Sequence, residues 1–336
     1  MNFDTREELD IIHRNLGDLS FEDRKVLVTG GAGFLGSWMC EYLLDDGASV
    51  TCIDNFASGQ RANIQALMDN EQFRFIEHDI SVPITIDTHL DYVFHMASRA
   101  SPFEFEHYPI EILRANTLGA MVALDIAKKN DARFVFTSTS EVYGNPDIVP
   151  TPETYRGNVN PIGLRGCYDE AKRCGEAYVV AYRRQHNLNT RIARIFNTYG
   201  PRIRTDGIYG RVIPRFIDQA LSGKPVTVFG DGSQTRSFTY VTDQIEGLLR
   251  LASLDAAQGQ VINIGNVNEI TVFELAKKVI DLTGSKSPLS YSPLPEDDPL
   301  RRRPDVTKAK EILGWVPKTP LETGLGRTIE WIRSVS

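Results

Sequence analysis

Tyr168 and Lys172 stand four residues apart, so on a helix they share one face, one turn from each other. A phenol ionises near about 10, and a lysine ammonium held beside it lowers that value. Such a pair can supply a phenolate base near neutral pH, suited to removing an alcohol proton while a hydride leaves the same carbon. Spacing alone is weak evidence, since Tyr-x-x-x-Lys also arises on solvated helices. Upstream, the run Thr137-Ser-Thr139-Ser-Glu141-Val-Tyr-Gly144 adds hydroxyls and a carboxylate next to an apolar strand pattern.

The hydride needs an acceptor, and the N-terminal region supplies a place for one. Lys25-Val-Leu-Val-Thr29 reads as a short buried strand, Gly30-Gly-Ala-Gly33-Phe34-Leu35-Gly36 as a glycine turn, and Ser37 to Leu44 as a helix. Glycines let the backbone approach a pyrophosphate, and the helix N-terminus offers free N–H groups and positive dipole. A second strand, Ser49 to Asp54, ends in an acid where an adenosine ribose would lie. A carboxylate there accepts from a 2′-hydroxyl and repels a 2′-phosphate, so NAD is expected rather than NADP. Arg61 is close in sequence, but Asp54 argues more strongly.

These residues require a scaffold. Strand and helix patterns alternate to about residue 195, through Arg74 to Asp79, Leu90 to His95, a helix from Ile112 to Lys128, Arg133 to Phe136, a helix from Asp169 to His186, and Thr190 to Arg194. That rhythm predicts an α/β fold: a Rossmann-type doubly wound parallel sheet with a smaller C-terminal α/β substrate lobe. Ligand contacts then belong at the carboxyl ends of the strands. The expected cofactor residues are Gly30, Gly33, Phe34, Leu35, Gly36, Asp54 and Asn55 on the first unit. Asp79, Ile80, Met96, Ala97 and Ser98 follow on later strand ends, with Tyr168 and Lys172. Residues 1–24 read as a helical extension, 25–195 as the NAD-binding domain with 236–266 returning to it, and 196–235 with 267–336 as the substrate lobe. Whether the extension packs on the body or on a partner subunit is open at this level.

Composition sets the outer limits. A chain of 336 residues, 41% hydrophobic and 24% charged, has room for a large core and a second unit. A net charge of −7 argues against a nucleic-acid partner. No apolar run reaches the length of a membrane span, and the N-terminus lacks a signal-peptide pattern, so a cytoplasmic protein is expected. Cys40, Cys52, Cys167 and Cys174 have no metal-ligand spacing, the six histidines form no cluster, and no metal is expected. Arginines punctuate the C-terminal part, among them Arg202, Arg211, Arg236 and Arg301 to Arg303, a supply of forked donors suited to diphosphate or carboxylate.

From Lys25 to about Trp331 the chain resembles the extended short-chain dehydrogenases that act on nucleotide sugars. The stretches Thr137–Gly144, Asn160–Arg173, Ala193–Arg202, Gly232–Val241 and Arg302–Val306 look most like the UDP-glucuronic acid decarboxylases. The resemblance implies a catalytic set of Thr139, Glu141, Tyr168, Lys172 and Arg302, and substrate contacts from Asn197, Arg236 and Arg302, to which Arg202 and Arg211 are added as candidates. It further implies UDP-glucuronic acid as substrate, conversion to UDP-xylose through a 4-keto sugar, and a homodimer. Related 4,6-dehydratases have Thr-Asp-Glu where this chain reads Thr139-Ser140-Glu141, and 4-epimerases usually lack the glutamate. Epimerisation, dehydration and a non-catalytic NAD-binding role remain the alternatives. Two departures from the decarboxylase pattern, Arg99 in place of a proline and a longer loop over Ile203–Gly210, fall where sugar choice could change.

Overall fold

The apolar runs become strands of one sheet in a computed structural model, which describes residues 3–206, 211–294 and 301–335. After the helix α1 (Thr5–Leu16) come β1 (Lys25–Thr29), α2 (Phe34–Asp45), β2 (Ser49–Asp54), β3 (Phe73–Glu77) and β4 (Tyr92–His95). Three helices follow, α3 (Pro102–His107), α4 (Pro109–Asn116) and α5 (Leu118–Asn130), then β5 (Arg133–Thr139), α6 (Gly166–His186) and β6 (Thr190–Ile195). The chain continues with β7 (Thr198–Tyr199), α7 (Val212–Leu221), β8 (Val226–Phe229), β9 (Thr235–Ser237), β10 (Thr239–Tyr240) and α8 (Val241–Ser253). Last come β11 (Val261–Ile264), β12 (Glu269–Thr271), α9 (Val272–Thr283), β13 (Leu289–Ser292), β14 (Arg301–Arg302), α10 (Thr307–Leu313) and α11 (Leu321–Val335).

Seven strands pair in parallel in the order β3-β2-β1-β4-β5-β6-β11. Val26, Leu27 and Val28 are fully buried, as expected of a parallel strand covered on both faces. The order reverses between β1 and β4, which opens a crevice beyond their carboxyl ends. Past β6, β9 pairs antiparallel with β12 and parallel with β14, while β8 pairs with β13. The register of β9 and β14 sets Arg236 beside Arg302. A pairing of residues 66 positions apart is thus what brings the two guanidinium groups together.

The N-terminal helix packs on its own chain. Leu9, Ile12 and Leu16 enter the main core. Glu8, buried at 1% exposure, accepts from the Tyr240 hydroxyl at 2.8 Å and from Arg327 at 3.3 Å. Burial pushes the Glu8 carboxyl up to about 6, against the pull of Tyr240 and Arg327.

One expected element divides. The single helix predicted over Ile112–Lys128 is two, α4 and α5, broken at Thr117 (φ −111, ψ −71). The Thr117 hydroxyl donates to the Leu113 carbonyl at 2.6 Å, a local bond that bends helices. The preceding Asn116 amide donates at 2.9 Å both to the Ile112 carbonyl and to Ser98 Oγ, which ties the break to the crevice wall.

Candidate active site

A cavity of about 460 Å³ extends from the glycine turn to Arg302. At its first end Gly30 has φ +73, and a Cβ there would lie 2.6 Å from the Ala97 Cα, so only glycine fits. A Cβ on Gly36 would sit 2.1 Å from the Gly30 carbonyl oxygen, so this glycine lets α2 close on the turn. The N-cap Gly33 makes no side-chain cap and the first turn of α2 holds no acid, leaving its N–H groups for an anion. At the end of β2, Asp54 accepts from the Ala32 N–H at 3.0 Å and the Phe56 N–H at 2.8 Å, bracing the glycine turn itself. Burial pushes its carboxyl up, against those backbone donors. Arg61 pairs with Glu77 at 3.0 Å instead of facing a 2′-phosphate. The open helix terminus, the close glycine and the ribose acceptor together fit NAD. Asn55, Asp79, Ile80, Met96, Ala97 and Ser98 line the same stretch, as do Phe34 and Leu35.

Asp54→Ala should weaken NAD binding about 10- to 100-fold, the equivalent of about 1.5–3 kcal/mol for a hydrogen bond to a charged group. Part of the loss would arrive through the loosened Ala32 turn. Calorimetric titration checks this, and an unchanged affinity would remove Asp54 from the ribose site.

Next along the cavity, β5 ends in Thr139 and α6 presents Tyr168 and Lys172 from one face. The Tyr168 ring stacks on Phe105 with centroids 5.3 Å apart, which fixes its direction. Its phenol bonds to Thr139; burial nevertheless pushes it up to about 12. Lys172 Nζ donates to the Thr137 carbonyl at 2.7 Å and lies 5.9 Å from the Tyr168 ring centroid. Burial pulls that amine down to about 7. The expected phenolate is therefore not prepared by the lysine alone. The protein without ligand holds the phenol protonated, with the Thr139 hydrogen bond and the Arg211 charge pulling it down, and the positive charge of NAD would add to them when bound.

Beyond Tyr168 lies a clamp. The Glu141 carboxylate pairs with Arg302 through one oxygen and with Arg165 through the other. Burial alone would raise its pKa, but Arg302 and then Arg165 hold it at about 2, so it stays ionised. Arg302 is 5% exposed, and its Nε and Nη2 have no hydrogen-bond partner among the described residues. Two unused charged donors at a cavity wall are a site for a further anion. Arg236 lines the cavity beside it, as do Arg211 and Asn197, whose amide donates to the Ser237 carbonyl at 3.4 Å. Burial lowers the pKa of Arg211, while Tyr168, Glu104 and Glu141 nearby oppose that shift.

Arg202 goes elsewhere. Its guanidinium pairs with Glu41 on α2 and lies 4.3 Å over the buried Trp38 ring, strapping the chain after β7 to that helix. Arg165, by contrast, was not singled out in the sequence although it touches Glu141. The available signal was its place three residues before Tyr168 on the same helical turn. Of the two departures noted above, Arg99 pairs with Glu104 at 3.2 Å and covers the Tyr108 ring at 4.2 Å while lining the cavity. Ile203 and Arg204 also line it; Gly207–Gly210 lie outside the described residues. Lysine and arginine outnumber carboxylates around the cavity, although the chain as a whole is acidic.

Residues 26–265 match the NAD dependent epimerase/dehydratase family. The chain is 46% identical over 314 residues to UDP-glucuronic acid decarboxylase 1 of Danio rerio, covering 93% of this chain and 74% of that protein. It is 46% identical over 301 residues to UDP-glucuronic acid decarboxylase 4 of Arabidopsis thaliana, covering 90% and 67%. Among solved structures, UDP-glucuronic acid 4-epimerase from Bacillus cereus, in complex with UDP-glucuronic acid and NAD, superposes with a TM-score of 0.81. It is 28% identical, and the match covers 93% of this chain and 100% of that one. A dTDP-glucose 4,6-dehydratase from Streptomyces venezuelae, with NAD bound, gives 0.84 at 28% identity over 92% and 97%.

Proposed function

We propose that this chain, which belongs to the NAD dependent epimerase/dehydratase family, decarboxylates UDP-glucuronic acid to UDP-xylose through a 4-keto sugar. The observation that carries the reading is the ionised Glu141 clamped by Arg165 and Arg302 next to the Thr139–Tyr168 pair. An acid held at about 2 cannot expel a hydroxyl as water, and Ser140 offers no second carboxyl, which speaks against 4,6-dehydration. The likeness to decarboxylases over nine-tenths of the chain favours loss of carbon dioxide over epimerisation.

In this reading residues 25–195 and the returning segment hold NAD, and 196–235 with 267–336 hold the nucleotide sugar. NAD, which the glycine turn and Asp54 would hold, would supply the hydride acceptor for C4 and the hydride that returns to it. Tyr168 takes the proton of the 4-hydroxyl, with Thr139 holding the 4-oxygen. The ketone at C4 makes C6 the carboxylate of a β-keto acid. Arg302 orients that carboxylate with its unused donors. When the C5–C6 bond breaks, its electrons spread onto the 4-oxygen as an enolate, where the Tyr168 and Thr139 hydroxyls donate hydrogen bonds. Glu141, fixed as an anion, positions the water that protonates C5, and the hydroxide left behind takes up the one proton that each turnover consumes. Tyr168 finally gives its proton back to the 4-oxygen as the hydride returns to carbon.

Incubation with UDP-glucuronic acid, followed by NMR, should give UDP-xylose and one carbon dioxide per turnover. UDP-galacturonic acid as sole product would make the chain a 4-epimerase, the reading that the Bacillus cereus neighbour supports. The fold and the Tyr168–Lys172 chemistry would survive that result, and Arg99 would be the first place to look for its cause.

A cytoplasmic homodimer is part of the proposal. Exposed Ile110 and Leu118 on α4 and α5 leave apolar surface for a symmetry mate, and all four cysteines are free thiols. No helix among the described residues is long and apolar enough to cross a membrane. Light scattering at micromolar concentration should give twice the chain mass; a monomer would refute the dimer.

A further inference from the structure

Asp169 follows Tyr168 on α6 and is buried, at 4% exposure, yet its Oδ1 has no hydrogen-bond partner among the described residues. Its Oδ2 lies 3.9 Å from Arg165 Nε. Arg165 pairs in turn with Glu141, and Glu141 with Arg302. Two carboxylates thus share two guanidinium groups out of water. The charges that act on Asp169 come from three elements: Arg165 and Glu170 on its own helix, Glu141 on the turn after β5, and Arg302 on β14. The Cys167 thiol and the Tyr168 phenol feel it in return.

With both carboxylates ionised these four side chains sum to zero, and Arg236, whose charge Glu141 also feels, stands beside Arg302. A sugar carboxylate placed at Arg302 would bring a third carboxylate against Glu141 and Asp169 in a buried site, and the repulsion among them falls if a proton enters with it. Glu141 is a poor place for that proton because both of its oxygens are paired with arginines. Asp169 has an oxygen with no hydrogen-bond partner among the described residues, and its other oxygen lies 3.9 Å from Arg165 Nε. We infer that Asp169 takes up a proton when the sugar carboxylate binds, and that its neutral form releases Arg165 to serve Glu141 and the substrate. This rests on the carboxylate position proposed above, and it makes Asp169 a positioning residue acting through Arg165. In the free protein burial, then Glu141, already raise the Asp169 carboxyl to about 7, so it changes state in the working pH range. Replacing carbon dioxide by hydrogen at C5 consumes one proton per turnover, and a proton admitted with the substrate meets that stoichiometry.

The sign follows from linkage: a ligand that raises a pKa binds best below the free value and more weakly as pH rises above it. The KM for UDP-glucuronic acid should therefore climb above about pH 7.5, approaching tenfold per pH unit. Titration calorimetry with Tyr168→Phe, which slows turnover on the order of 10³-fold, would be run at about pH 8 in buffers of different ionisation heat. It should show most of one proton taken up per UDP-glucuronic acid and almost none per UDP-glucose. In the Asp169→Asn, Tyr168→Phe double variant the uptake should vanish, and in Asp169→Asn alone the rise of KM with pH should flatten. Infrared difference spectra of Tyr168→Phe should gain the carbonyl band of a protonated carboxyl on adding UDP-glucuronic acid, a readout independent of how Asp169→Asn folds. Absence of uptake at about pH 8, equal uptake with UDP-glucose, or uptake that persists in the double variant would each overturn the inference. Failure of the wild-type protein to turn over UDP-glucuronic acid would instead overturn the functional reading beneath it.

Discussion

Tyr168→Phe should leave the protein folded and lower kcat on the order of 10³-fold, the usual contribution of a positioned acid–base group. The ring is held by its stack on Phe105 and by the cluster of Phe105 and Ile112, and phenylalanine keeps both contacts. Only the hydroxyl and its bond to Thr139 disappear, a change of about 1 kcal/mol in unfolding free energy. The chemistry, by contrast, loses both its base at the start of the cycle and its acid at the end. The pH profile carries the second signature. The wild-type kcat/KM should rise with pH along an acid limb that belongs to Tyr168, because the phenol must give up its proton to work. That limb should be missing from the residual activity of the variant. Circular dichroism and thermal melts would check the fold, and steady-state rates the function. Near-normal turnover would sink the proposed mechanism, whatever product is formed.

What could be read from the sequence was local. The glycine turn with its strand and helix, the acid closing β2, and the four-residue step from Tyr168 to Lys172 depend on spacing within one or two elements. The parallel sheet was legible for the same reason, as alternation of apolar strands and amphipathic helices. Arg302 and Glu141 are a different case. They meet because β14 pairs with β9 across the lobe, and no periodicity announces a two-residue strand. Arg202 shows the opposite error: composition counts guanidinium groups but not their directions. A positive φ of 70 at Arg202 and the carboxylate of Glu41 turn this one onto α2. The split of α4 from α5 escaped notice because the apolar pattern runs on while the Thr117 hydroxyl competes locally for a helix carbonyl. The protonation of Tyr168 was the least legible feature, since spacing places the two side chains on one face without saying that burial pushes the phenol up and the amine down.

Glu141→Gln should reduce kcat about 10²- to 10³-fold while KM for UDP-glucuronic acid stays level or falls. The two parameters part because Glu141 carries a negative charge next to the place proposed for the sugar carboxylate. Removing that charge takes away repulsion of the substrate and leaves Arg165 and Arg302 short of a counter-ion. Breaking a buried pair by deleting one partner costs about 3–5 kcal/mol, and glutamine, which keeps one acceptor oxygen, should cost less than alanine. The variant should therefore melt lower than wild type but remain folded within an ordinary stability of about 5–15 kcal/mol. UDP-glucuronic acid should restore its melting temperature more than UDP-glucose does, because only the former brings a carboxylate to the two arginines. Oxidation at C4 does not use Glu141, so the first half of the cycle should proceed. Protonation of C5 then becomes slow, and bound cofactor should accumulate in its reduced form, visible by its near-ultraviolet absorbance. A variant with unchanged kcat and a KM raised tenfold or more would show that Glu141 serves binding alone. In that event the water that protonates C5 would have to be held by another group, and Thr139 and Tyr168, proposed above to hold the 4-oxygen, would be next to test.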